Sequence, residues 1–252
     1  MPTDHFDLID RQFGLNAQSY VTSMVHAQGK DLARIAAIAQ TYRPTRALDL
    51  GAGGGHVSYA VAPHAREVVA CDLSAQMIEQ ITREAEQRNL PTIRTQVAAA
   101  EDLPFADDSF DFLACRFSTH HWHDAVQGIR EARRVLSPGA AAVFSDVVAP
   151  ALPLADTFLQ AVELLRDLSH VRDYTALQWT AMLEGAGFRV RTVTTGRLRM
   201  DFADWTGRMR TPPQRCAAIR TLQAAACREV AQHFKIEADG SFTIDTLLIE
   251  AD

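Results

Sequence analysis

From Arg46 onward, short apolar runs rich in β-branched residues alternate with segments whose apolar positions recur at helical spacing. The runs "RALDL", "EVVACDL", "TIRTQVA", "FDFLACRFS" and "AAAVFSDV" read as five buried strands. Between them, His56–Ala62, Ser74–Asn89 and Asp124–Leu136 read as helices, the last stopped by "SPG". Such alternation requires crossover connections, so it predicts a parallel sheet with helices on both faces.

The flanks depart from this rhythm. The first 45 residues look helical, with "SYVTSMVHAQGKDLARIAAIAQTY" carrying apolar residues at helical spacing. After strand five come two further helices, Leu154–Leu168 and Thr175–Gly185, the second ended by "GAGF". "RVRTVTT" is a sixth strand, Trp205–Lys235 is largely helical, and "SFTIDTLLIEA" is a seventh strand. Strand six is expected to end near Thr195 and strand seven to start near Ser241. That leaves roughly 45 residues where compact domains need only a few. With no repeat and no low-complexity tract, residues 1–252 read as one domain: a helical cap (1–45), a core (46–150) and C-terminal additions (151–252) with a helical insertion at 197–240.

Composition narrows the class. Of the 252 residues, 47% are hydrophobic and 22% charged, enough to fill a core. No apolar run approaches the roughly 20 residues of a membrane span. "MPTDHFDLIDRQFG" shows neither a basic start nor an apolar stretch of a secretory signal. Cys71, Cys115, Cys216 and Cys227 are scattered without metal spacing and read as reduced thiols of a cytoplasmic protein, with no metal expected. The net charge of −6 argues against nucleic acid, yet from Phe188 to Lys235 nine arginines and a lysine face only Asp201, Asp204 and Glu229.

The stretch "ALDLGAGGGHVS" places four glycines directly after strand one and before a helix. Glycine weakens element interiors, so this cluster belongs to a turn where a ligand meets backbone N–H groups at a helix start. About 20 residues on, Asp72 ends the second strand, where an acid hydrogen-bonds ribose hydroxyls. Strand, glycine turn, helix, strand and acid together point to a nucleoside-bearing ligand.

The spacing D-L-G-A-G-G-G resembles the first motif of the class I S-adenosylmethionine-dependent methyltransferases, and the resemblance continues through "CDLSAQMI", "AAAEDLPFADDSFDFLACRFSTHHWHD" and "REARRVLSPGAAAVFSD". With the flanks "YVTSMVHAQGKDL" and "LRDLSHVRDYTALQWTAMLEGAGF", the chain is similar to the type 11, quinone-biosynthesis-like small-molecule branch. The resemblance implies an α/β, Rossmann-like fold: a seven-stranded, mostly parallel sheet with an antiparallel last strand and helical lid additions. It implies S-adenosyl-L-methionine as cofactor, with S-adenosyl-L-homocysteine as product. Asp49, Gly51, Ala52 and Gly53 would lie against the methionine portion, and Asp72 would take the ribose diol with Leu73 on adenine. Ala100 and Glu101 would border the adenine, Arg116 and Phe117 would reach the methionine end, and Tyr20 would close over the cofactor. Ala99 stands where the family commonly has an Asp that accepts from the adenine amino group, so that contact is lost.

Methyl transfer from a sulfonium needs in-line positioning, and a base when the nucleophile carries a proton. His121 and then His120, in "STHHWHD", are the base candidates, while Asp124 reads as a helix cap. Arg166, His170 and Arg172 are candidate acceptor contacts, Arg166 and His170 sharing a helical face. Arg208 or Arg210 is expected to face an anionic group. The reading is an enzyme that methylates O, N or C of a small metabolite, which can be anionic. An RNA or tRNA methyltransferase, and a cofactor-binding protein without transferase activity, remain open alternatives. No membrane partner is expected, and oligomeric state is not readable.

Overall fold

The computed structural model describes residues 4–14 and 29–252. In chain order these form α1 (His5–Gly14), α2 (Lys30–Tyr42), β1 (Arg46–Leu50), α3 (His56–Val61), β2 (Glu67–Asp72), α4 (Ala75–Gln87), β3 (Ile93–Val97) and β4 (Phe110–Arg116). A 3-10 turn (Thr119–His121), α5 (Ala125–Val135), β5 (Leu136–Ala149), α6 (Pro153–Arg166), β6 (Tyr174–Thr175) and α7 (Ala176–Gly185) follow. The chain continues through β7 (Val190–Met200), α8 (Phe202–Arg208), α9 (Pro213–Ala224), α10 (Arg228–Phe234) and β8 (Phe242–Ala251).

The sheet runs β3-β2-β1-β4-β5-β8-β7, with the two-residue β6 pairing off this path onto β5. β3, β2, β1, β4 and β5 pair in parallel, whereas β8 lies antiparallel to both β5 and β7. Strand order reverses between β1 and β4, and in open α/β sheets the crevice beyond the carboxyl ends at such a reversal holds the ligand.

Both faces of the sheet are packed. One face carries Leu50, Leu113, Phe144 and Ile249 against Ile129 of α5 and Trp179 of α7. The other carries Ala70, Phe112 and Leu248 against Ile35 of α2 and Ile81 of α4. Each such side chain, fully buried, favours the fold by about 1.5–3 kcal/mol. A third cluster joins Leu159 of α6, Trp205 of α8, Ile219 of α9 and Phe234 of α10 with Val147, Met200 and Phe242. Val147 and Met200 lie near the carboxyl ends of β5 and β7, and Phe242 opens the antiparallel β8, so this cluster caps the same edge of the sheet as the reversal.

Three expectations need correction. β7 continues to Met200 instead of ending near Thr195, because "GRLRM" stays in register with β8 from Gly196↔Thr246 to Met200↔Phe242. "SPG" does not separate α5 from its strand: the helix ends at Val135 and β5 starts at Leu136, absorbing the glycine through a register shift opposite Phe110/Phe112. Helix α6 ends at Arg166, so His170 lies in the following turn and shares no helical face with it. Among the described residues no helix is long and apolar enough to cross a membrane.

Candidate functional site

The glycine turn after β1 is held by backbone bonds from the N–H groups of Gly51 and Ala52 to the Cys71 carbonyl, 2.8 and 2.9 Å. Gly51 has φ +72°, and a Cβ there would run into the Ser118 side chain beyond β4. Gly53 differs: its φ is +51°, yet a Cβ would meet nothing within 4 Å. The first glycine therefore lets two loops approach, and the second leaves space open.

That space is part of a cavity. Its walls include Asp49, Gly51, Ala52, Gly53, Asp72, Leu73, Ala100, Glu101, Arg116 and Phe117, together with Ala99 and His121. The Asp72 carboxylate sits at the corner, accepting from the N–H groups of Gly53 (2.8 Å) and Ser74 (2.9 Å). Asp49 is buried and accepts from the Ser58 N–H and hydroxyl through one oxygen, at 2.9 and 2.6 Å. Burial outweighs those bonds and pushes its carboxyl up to about 7. Glu101 accepts from the Asp124 N–H (3.1 Å), while Asp124 caps α5 by accepting from Gln127 N–H (3.0 Å). Arg116 is buried and clamped by Asp31 of α2, Nε–Oδ2 2.5 Å. Tyr20 lies outside the described residues.

Sequence reasoning missed other walls of this cavity: Phe6 and Ile9 of α1, Ser118 and Trp122. Trp122 donates from Nε1 to Ser118 Oγ at 3.0 Å, and α1 is further tied in by His5 against the His121 carbonyl (3.2 Å) and by Gln12 donating to the Met209 carbonyl (3.1 Å).

A second cavity abuts the first; Phe117 and His121 line both. Phe117 holds φ +51°, a conformation costly for an aromatic residue, and its N–H donates to Ser145 O at 2.8 Å. His120, Glu163, Arg166, Asp173 and Arg208 also border it, together with an aliphatic lining that includes Val147, Leu198, Met200 and Ile244.

His120 Nδ1 bonds Asp146 Oδ1 at 2.6 Å. Burial opposes the imidazolium, but the charge and hydrogen bond of Asp146 prevail and raise the ring to about 9. His121 behaves oppositely. Burial and the neighbouring His120, with ring centroids 4.2 Å apart, lower it to about 3, and its Nδ1 contacts the Ser169 carbonyl at 3.2 Å. His121 is thus held neutral and His120 charged at neutral pH.

The remaining sequence candidates divide. Arg166 is buried, donating to the Trp205 carbonyl (3.0 Å) and pairing with Glu163 (3.4 Å). His170 is buried behind the cavity wall on Gln160 Oε1 (2.9 Å), and burial lowers it to about 2. Arg172 turns to the surface and pairs with Asp156 at 2.8 Å. Arg210 is exposed, so of the two expected arginines Arg208 alone borders the cavity. Asp146, Glu163 and Asp173 were not anticipated. Asp146 had a readable signal, since "FSD" near the carboxyl end of strand five repeats the placement of Asp49 and Asp72. Among the described residues no group of three or more His, Cys, Asp or Glu is placed to hold a metal ion.

A family model described as a methyltransferase domain, type 11, matches residues 48–144. The uncharacterized protein YafE of Escherichia coli (strain K12) is 41% identical over 197 residues, 78% of this chain and 95% of that protein. The uncharacterized methyltransferase YcgJ of Bacillus subtilis (strain 168) is 32% identical over 243 residues, 94% of this chain and 96% of that one. The crystal structure of YcgJ superposes with a TM-score of 0.84 at 31% identity, covering 88% of this chain and 97% of YcgJ. The ubiquinone/menaquinone biosynthesis C-methyltransferase UbiE of Geotalea daltonii is 36% identical over 114 residues, 43% of this chain and 48% of that protein. With a relative matched along nearly its whole length and its crystal structure superposing on this one, the chain belongs to the class I S-adenosylmethionine-dependent methyltransferases of type 11.

Proposed function

We propose that the protein moves a methyl group from S-adenosylmethionine to a small-molecule acceptor seated in the second cavity. The observation that carries this reading is the pair of cavities sharing Phe117 and His121 as a common wall. The residues of the first fit the cofactor: open space at Gly53 admits a ligand against backbone, and Asp72 presents a carboxylate to a diol. In this reading Asp72 and Leu73 hold the nucleoside, Ala100 and Glu101 border its base, and Asp49, Gly51, Ala52 and Gly53 cradle the amino-acid end. Arg116 and Phe117 close that end toward the acceptor. The bound cofactor supplies an electrophilic methyl group; the chain's residues orient it, exclude water and manage the acceptor's proton.

His120 is the better proton acceptor of the two histidines. Asp146 occupies its Nδ1, and Nε2 makes no hydrogen bond, on a ring that borders the second cavity. With the ring raised to about 9, the neutral base form grows as pH rises, and a base of that strength suits alcohol or amine nucleophiles. His121, lowered to about 3, is the weaker base and serves as wall between the cavities.

The arginine-rich stretch does not favour an RNA substrate. Arg189 and Arg191 pair with Asp252, Arg197 with Asp245 and Arg199 with Glu237, so acids later in the chain offset the charge of its first four arginines. Calorimetry with S-adenosylhomocysteine tests the first cavity. Methyl-labelled cofactor incubated with separated metabolite and RNA fractions of a cell extract tests the second; label entering RNA alone would refute the reading.

A further inference from the structure

Asp173 breaks a general rule of protein interiors. It is 1% exposed, and buried polar groups are almost always hydrogen-bonded. Yet Asp173 Oδ2 has no hydrogen-bond partner, and none engages its other carboxyl oxygen either. Gln160 could have served it, but spends its amide on the Asp173 backbone: Nε2 donates to the Asp173 carbonyl (2.9 Å) and Oε1 accepts the Asp173 N–H (3.1 Å). His170 Nε2 stays 3.9 Å from Oδ2 and bonds Gln160 instead. The backbone is thus fixed on both sides while the carboxyl borders the second cavity unpaired. Leaving a buried carboxyl unpaired is unfavourable, and the loss is recovered when a ligand supplies the missing bond.

The surroundings select the ligand group. An anion would meet the Glu163 carboxyl, with Asp146 behind, and these two acids offset the charges of their partners Arg166 and His120. An ammonium would need Asp173 to ionise in full burial beside Glu163 and Asp146, and these same influences drive its carboxyl well above the usual range. A neutral hydroxyl needs neither change, since it both donates to and accepts from a protonated carboxyl. Val147, Leu198, Met200 and Ile244 offer an aliphatic surface for the rest of the molecule.

We propose that the second cavity recognises a neutral hydroxyl group of the acceptor through the Asp173 carboxyl, making Asp173 a specificity-determining residue. The inference rests on the second cavity being the acceptor site. It replaces the anionic group suggested by the arginine-rich stretch. Arg208 borders the same cavity and would favour an anion, so a carboxylate probe measures that pull directly.

Cyclohexanol, cyclohexylamine and cyclohexanecarboxylate share one body and differ in the polar group. Each is titrated at neutral pH into protein labelled with ¹³C at its methionine methyls, following Met200 in the cavity wall, with and without S-adenosylhomocysteine. Cyclohexanol should bind at least about tenfold more tightly than either charged probe. Asp173→Leu should erase that preference, and Asp173→Asn, which keeps both donor and acceptor, should retain cyclohexanol affinity within about threefold. Equal or tighter binding of either charged probe, unchanged cyclohexanol affinity in Asp173→Leu, or no Met200 response to any probe would overturn the proposal. Should Asp173→Leu not fold, the wild-type ranking and Asp173→Asn decide it. Calorimetry with S-adenosylhomocysteine reads the first cavity separately, so loss of cofactor binding with the probe ranking intact strikes the function reading and not this one.

Discussion

The two cavities meet at Phe117 and His121 but are built from different materials. The first is formed around one turn and the strand ends beside it, with glycines and alanines that expose backbone, and is closed by side chains such as Phe6, Ile9 and Trp122. The second is walled by side chains drawn from β4's end, β5, α6, the 167–173 turn, β7, α8 and β8. A backbone-lined site compresses its requirements into a few adjacent positions, so it writes a motif. A side-chain-lined site spreads its requirements across the chain, and each residue looks ordinary by itself.

This contrast can be broken by mutation, beginning where the effect should be largest. Gly53→Val should abolish S-adenosylhomocysteine binding, because its side chain would fill open cavity space. The left-handed φ of +51° adds about 1–2 kcal/mol of strain, so the melting temperature should fall only modestly. Calorimetry and thermal melts check both, and probe binding at Met200 in the second cavity should persist. Normal cofactor binding would show that the turn is merely structural.

Asp72→Ala comes next. Losing charged acceptor bonds should weaken S-adenosylhomocysteine binding by about 1.5–3 kcal/mol, roughly ten- to a hundredfold. Part of that loss reflects the Gly53 and Ser74 N–H groups that Asp72 holds, which Asp72→Asn can still hold in part. Unchanged affinity in calorimetry would remove Asp72 from the cofactor site.

Asp146→Asn acts on the other cavity. The folded-state pKa of His120 is raised from 6.5 to about 9, so its stabilisation is fully present below about 6.5 and is lost as pH rises through about 9. Removing the Asp146 charge should lower the His120 titration midpoint, read from its imidazole resonance, and destabilise the protein at pH 6 more than at pH 10. Once an acceptor is known, kcat/KM should rise toward about pH 9 in the wild type and at lower pH in the variant. A midpoint that does not move would disprove the His120–Asp146 coupling.

The smallest effect should come from the surface. Arg189 and Arg191 are 67% and 48% exposed and share Asp252. Replacing both by Gln should change stability by only about 0–1 kcal/mol per pair and leave both cavities unaltered, as denaturant melts and the two binding assays would report.

What was legible in the sequence follows the same division. The strands and most helices were readable because apolar periodicity reports burial directly, and "ALDLGAGGGHVS" with Asp72 announced a ligand corner. The extent of β7 was not readable. Its residues Arg191–Arg197 are exposed, so no burial pattern marks them, and their strand state is dictated by pairing with β8. The arginine-rich stretch looked like a ligand surface because its counter-charges, Glu237, Asp245 and Asp252, lie later in the chain and come beside it through folding. Asp173 was invisible for a subtler reason: what singles it out is a missing bond, and absence of a partner has no sequence signature.

The position of β8 orders the molecule's assembly in time. It is the last strand along the chain, yet it sits between β5 and β7 and contributes Phe242 and Ile244 to the cluster over the sheet edge. The strands from β3 to β5 can join as each emerges, since each pairs with one already made. β7 has to wait for β8, and the third cluster has to wait for both. Ile244 also lines the second cavity, whereas β8 contributes nothing to the walls of the first. During synthesis, therefore, the glycine corner can take shape while the neighbouring chamber is still open, and closing the sheet's last seam is what completes it.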